Sequence, residues 1–99
     1  MLVHTVYFYL KPEISESEKA QFVKQVKTLE KIETVRSFYV GIPAATLDRP
    51  VIRKDYSVAL TVVLDDLEGH DIYQVHQIHK DFIANNNHLW AEVVIYDAN

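Results

Sequence analysis

The chain opens on an apolar and aromatic run, Leu2 to Leu10, rich in β-branched residues and closed by Pro12. Such a run predicts a strand. Alternation puts His4, Val6, Phe8 and Leu10 on one face and Val3, Thr5, Tyr7 and Tyr9 on the other. Neither face is strongly polar, so both are expected to be covered. Ser15, with Glu18 three residues on, reads as a capping box that starts a helix. Phe22, Val23, Val26 and Leu29 then recur at helical spacing to about Ile32, with lysines and glutamates alternating on the wet side. Residues 35–42 predict a second strand, stopped by Gly41 and Pro43. Residues 43–54 hold two prolines and no period, and read as a loop. Residues 55–64 form a third strand, nearly continuous in Val, Ala and Leu, which suits a central position. A second helix runs from Leu67 to about Asn85, broken near His76, and 89–96 is the last strand.

The resulting order is βαββαβ over one domain, residues 1–99. With short crossovers this predicts an α+β ferredoxin-like layer: an antiparallel sheet with both helices on one face. The other face, bearing Val3, Tyr7 and Tyr9, is too apolar to leave in water. A second subunit should cover it, two sheets closing into a dimeric α+β barrel.

Composition narrows the function. Of 99 residues, 48% are hydrophobic, enough for a core in one small domain. The net charge is −4 and the basic residues form no stripe, which argues against nucleic acid and anionic membrane. There is no cysteine, which excludes thiolate catalysis and zinc–thiolate sites. With two glycines, Gly41 and Gly69, phosphate-cradling loops and Rossmann cofactors are not expected. The N-terminal run lacks the basic start and small-residue cleavage site of a signal peptide. No apolar run approaches the roughly 20 residues that span a bilayer. The expected location is the cytoplasm.

Candidate chemistry concentrates in Tyr73-Gln-Val-His76-Gln-Ile-His79-Lys-Asp-Phe82. Tyr73, His76 and His79 follow i, i+3, i+6 spacing and spread over about 120° of helix surface. Ile72, Val75, Phe82 and Ile83 share or border that face. If the helix packs on the strand face bearing His4, an imidazole from each element and the Tyr73 phenol can meet. Imidazole titrates nearest neutral pH, so such a group suits proton transfer beside a carbonyl. Against this, a histidine on an apolar face is more often a hydrogen-bonded core residue than a catalyst. His76 and His79 on adjacent turns, with His4 third, could also hold a metal. No HExxH motif and no carboxylate placed on that face supports this, and no metal is assigned. His70 and His88 read as surface residues at element ends.

Taken together, several segments resemble the stress-responsive A/B barrel (Dabb) family of dimeric α+β barrel proteins. They are Val3-His4-Thr-Val, the Val35–Gly41 strand, Asp55-Tyr56, Tyr73-x-x-His76-x-x-His79-x-x-Phe82 and Val94-Ile-Tyr96-Asp97. The resemblance spans the whole chain and implies a ferredoxin-like subunit in a homodimer. Most members have no assigned reaction. In one plant polyketide cyclase of the family, which needs no cofactor, the residues matching His79 and Tyr73 carry the chemistry and the one matching His4 lines the pocket. Val26 and Val58 stand where that enzyme has a pocket tyrosine and histidine, and Gln77 replaces a usual proline. These changes argue for a more apolar pocket and against the same cyclisation.

The expectation is a small homodimeric domain that binds a small apolar or aromatic molecule, with no cofactor. Its ligand-binding candidates are His76, Val6, Phe8, Val26, Val58 and Phe82. The alternative is a cofactor-independent cyclase, lyase or isomerase acting on a carbonyl substrate. Its catalytic candidates are His79 as base, Tyr73 as partner or oxyanion donor, and His4 as positioning group.

Overall fold

The computed structural model describes all of residues 1–99. Its first strand, β1 (Leu2–Leu10), alternates between buried and half-buried positions along its first eight residues. Leu2, His4, Val6 and Phe8 are the buried set, as a strand with one face on a core requires. Helix α1 (Glu16–Lys27) starts on the capping box: Ser15 Oγ accepts from the Glu18 amide at 3.1 Å, and Glu18 accepts from the Ser15 amide at 3.0 Å.

The α-helix stops earlier than its apolar spacing predicts. Thr28 donates its hydroxyl to the Gln25 carbonyl at 2.6 Å, and residues Thr28–Lys31 form a tighter 3-10 turn. Leu29 and Ile32 are still fully buried, so the turn preserves the inward face.

Three further strands follow: β2 (Val35–Gly41), β3 (Val58–Leu64) and β4 (Trp90–Ala98). All neighbouring pairs are antiparallel, in the order β2-β3-β1-β4. β3 begins three residues later than its composition suggests. Asp55 and Tyr56 stay outside the ladder, and Tyr56 lays its ring edge-on against Tyr7, with centroids 5.0 Å apart. The ladder is joined at Ser57, whose amide donates to the Phe8 carbonyl at 2.8 Å. Residues 42–57 otherwise form no helix or strand.

The second helical segment breaks at His76, as expected. It comprises α2 (Leu67–Val75) and α3 (Gln77–Asn86). His76 is extended at ψ 144° and serves as the N-cap of α3, its side chain accepting from the Ile78 amide at 3.1 Å. The fold is thus a ferredoxin-like layer, with the helical segments packed on the sheet face that carries Val6 and Phe8. Thirteen buried hydrophobic residues make one core, and its Phe8, Phe22 and Phe82 form an aromatic cluster with the partly buried Trp90, with centroids 5.1–6.1 Å apart. Each fully buried side chain of this size contributes about 1.5–3 kcal/mol.

Candidate functional site

Register and helix phase decide what meets beneath α2 and α3. β1 lies between β3 and β4, and His4 pairs across with Val62 on one side and Asp97 on the other. Directly paired residues share a face, so the inner row carries an imidazole beside a carboxylate. His4 is 2% exposed, and its Nδ1 lies 2.5 Å from Asp97 Oδ1. Nδ1 donates to the carboxylate, so the proton sits there and Nε2 is left as the acceptor nitrogen.

Helix α2 brings Tyr73 over this row. Its ring is fully buried, 5.7 Å from His4 between centroids, and its hydroxyl has no hydrogen-bond partner. Burial raises the phenol's pKa well above its ordinary value, so it stays protonated as a donor. Helix α3 supplies His79, edge-on to Tyr73 at 5.1 Å. Burial lowers the His79 pKa, and His4 and His70 nearby lower it further by disfavouring a second positive charge. His4 is likewise lowered by burial, against the opposing pull of Asp97. Both imidazoles are therefore held in the neutral form near pH 7, each with a free ring-nitrogen lone pair.

These side chains border a cavity of about 150 Å³. His4, Tyr73 and His79 line it with Val6, Phe8 and Phe82, and ten of its thirteen lining residues are hydrophobic. It is also lined by Gln74, whose buried Oε1 has no partner, and by Trp90 and Ile83.

The structure does not bring every candidate here. His76 lies outside the cavity: its Nδ1 caps α3 and its Nε2 faces Glu33 at 3.1 Å. The helix break turns it off the Tyr73–His79 line. Val26 and Val58 are fully buried core residues that do not line the cavity. Ile72 and Val75 face solvent at the phase set by Tyr73.

Two residues were missed by sequence reasoning. Asp97 supplies the carboxylate that the pattern did not place, since strand parity in an exposed final strand hides it until the register with His4 is known. His70 is no free surface residue: its ring stands 5.2 Å from His4, and its Nε2 is buried. Its spacing of three from Tyr73 was the available signal.

An antiparallel ferredoxin-like sheet that roofs a small apolar cavity with two helices defines the class. The family model described as Stress Responsive A/B Barrel Domain matches residues 2–99, and the chain belongs to that family. No curated protein matches it. Among solved structures, a Dabb family protein with a ferredoxin-like fold from Mesorhizobium loti superposes with a TM-score of 0.81 at 23% identity, covering 99% of this chain and 94% of that one. A dimeric ferredoxin-like protein of unknown function from Thermobifida fusca gives 0.79 at 19%, covering 98% and 88%. A hydroxynitrile lyase from Passiflora edulis gives 0.79 at 14%, covering 98% and 90%. At these identities the likeness is one of fold. No helix is long and apolar enough to cross a membrane.

Proposed function

We propose that the protein is a homodimer in which each subunit binds one small aromatic molecule beneath α2 and α3. The observation that carries this is the Tyr73 hydroxyl, buried and unpartnered at the edge of an apolar cavity of about 150 Å³. An unmet buried hydroxyl costs about 1–3 kcal/mol, a cost with a purpose if a ligand supplies the acceptor. A cavity of about this volume accommodates a single benzene-sized ring. Phe8, Phe82 and Trp90 offer that ring apolar contact, and Tyr73 offers a hydrogen bond to one carbonyl or hydroxyl oxygen. Dimeric neighbours of the same fold support self-association.

Calorimetry with a set of monocyclic aromatic ketones and aldehydes tests the reading. Binding of a carbonyl-bearing ring, lost in Phe82→Trp where the larger side chain fills the space, is the expected result. Equal, negligible heats for wild type and variant across the set would overturn it.

A second reading is favoured by the neutral state of His79 beside a protonated phenol: cofactor-independent acid–base chemistry on a carbonyl substrate. Tyr73 donates to the carbonyl oxygen and stabilises the negative charge that develops there. His79 removes a proton from the adjacent carbon. Asp97 orients His4 so that its Nε2 accepts from a further substrate hydroxyl. The hydroxynitrile lyase among the neighbours is a precedent for chemistry on this fold and no more, at 14% identity. Deuterium exchange at the α-carbon of acetophenone, present in wild type and lost in His79→Gln, is the expected outcome. Exchange that persists in the variant removes His79 from the role.

A further inference from the structure

A corner of the site remains unexplained by ligand binding or proton transfer. His70 Nδ1 lies 3.1 Å from Asp71 Oδ1. A carboxylate accepts only, so in the neutral ring the proton sits on Nδ1 and Nε2 carries the lone pair. That Nε2 is buried, has no hydrogen-bond partner, and stands 3.9 Å from Asp97 Oδ2. Two acceptors thus face each other across a gap too wide for a hydrogen bond and too narrow to ignore electrostatically. The other oxygen of the same carboxylate meets His4 Nδ1. One ligand atom from each of His4, His70 and Asp97 lies within 4.8 Å of the others.

We propose that His4, His70 and Asp97 bind a divalent first-row cation of borderline softness, of which Zn²⁺ is the type. Two imidazoles and one carboxylate are a donor set for such ions, and three protein ligands leave a coordination position open. Tetrahedral bonds of about 2.0–2.2 Å put neighbouring ligand atoms about 3.4 Å apart. The His70–Asp97 separation is within about half an ångström of that spacing. The His4–Asp97 contact opens by somewhat more once the proton between them leaves. Asp71 then stands behind His70 as the outer carboxylate that orients metal-bound imidazoles and fixes their tautomer. Asp97 is 42% exposed at its side chain, which gives the ion a path from solvent.

Loading has a defined proton balance. Neutral His4 moves its proton from Nδ1 to Nε2, Nδ1 takes the ion, and no proton is lost to solvent. His4 thereby changes from acceptor to donor toward the cavity. The inference stands independently of the ligand and reaction proposed above, because its readouts are metal binding and tautomer state.

The full chain, stripped with chelator, is titrated with Co²⁺ and with Zn²⁺ at pH 7.5. Expected is one ion per chain, visible ligand-field absorption for Co²⁺, and imidazole ¹⁵N shifts that report the His4 tautomer change. His70→Ala and His70→Gln each weaken binding more than 10-fold, and Asp71→Asn, which leaves all three ligands in place, weakens it about 10-fold. His88→Ala leaves it unchanged. Circular dichroism of each variant confirms the fold. Absence of Co²⁺ binding by wild type at millimolar metal would overturn the proposal. So would binding that survives both His70 substitutions, or an unchanged His4 tautomer.

Discussion

At the residue scale, the site is defined by polar atoms that the fold leaves without partners. Tyr73 sits fully buried with its hydroxyl unmet. If the hydroxyl serves a ligand and not the core, Tyr73→Phe does not destabilise the free protein and raises its stability by up to about 1 kcal/mol. For a domain of this size that is a Tm increase of about 4–8 °C at most. Affinity for an aromatic ketone falls at the same time. Scanning calorimetry alongside binding checks both, and a clear drop in Tm would mean that the hydroxyl has a structural partner. The imidazoles make a second prediction. His79 and His4 are both lowered in the fold, relative to about 6.5 in the unfolded chain. As pH falls through 6.5, the unfolded chain takes up protons that the folded chain refuses. Stability therefore falls with pH across that window and levels off below the folded values. Urea midpoints at pH 5 and pH 7.5 should differ less in His79→Gln than in wild type, because glutamine does not titrate. An identical difference in both proteins would show that His79 is not held neutral by the fold.

At the element scale, the break at His76 places the two halves of the site. α2 holds His70 and Tyr73, α3 holds His79 and Phe82, and the extended residue between them sets their relative phase. At φ −62° and ψ 144°, His76 already has the conformation that a following proline imposes, and Gln77 is the first residue of α3, where proline is well tolerated. Gln77→Pro should stabilise the fold by about 0.4–1 kcal/mol through the unfolded chain. The loss of the exposed Gln77–Asp81 hydrogen bond offsets only a part of this. A urea midpoint that fell would show the hinge to be strained. The same hinge explains what was legible in the sequence. The 3.6 period of α1, the alternation of β1 and the capping box at Ser15 are local signals, and the structure keeps them. The inward turn of Tyr73, His79 and Phe82 was legible because each lies close to the break and next to apolar neighbours. His76 was misplaced because a uniform helix carries its phase through a residue that is in fact a cap. Asp97 and His70 needed the β1–β4 register and the packing of α2 on it, which are non-local pairings that no window of sequence contains.

At the scale of the whole molecule, the sheet has one face under helices and one without. Register aligns Tyr39, Thr61, Thr5 and Tyr96 in a single row across that second face. Tyr7 packs edge-on between Tyr56 and Tyr96, with centroids 5.0 and 6.3 Å away. Four strands about 4.8 Å apart and about eight residues long cover roughly 500 Å² in projection. That is of the order of the roughly 800 Å² of accessible surface that a stable interface buries per partner. The 42–57 segment brings Val51, Arg53 and Tyr56 to this face, where they border a hollow with Tyr7, Tyr9, Val94 and Tyr96. In the proposed homodimer a second copy would meet the remaining tyrosines and valines with the same surface, as a two-fold interface requires. Tyr7→Lys and Tyr96→Lys place a charge at the centre of that contact and leave the helix-side core and the cavity untouched. Sedimentation at micromolar concentration should give a dimer for wild type and a monomer of about 11.5 kDa for the double variant. Because each cavity is lined by residues of one chain, from β1, β3, β4, α2, α3 and the Thr28–Lys31 turn, ligand affinity per chain should survive in that monomer if it remains folded. A monomeric wild type would leave an aromatic face in water without a partner and would undo the barrel reading; loss of ligand binding in a folded monomeric variant would mean that the second subunit completes the cavity.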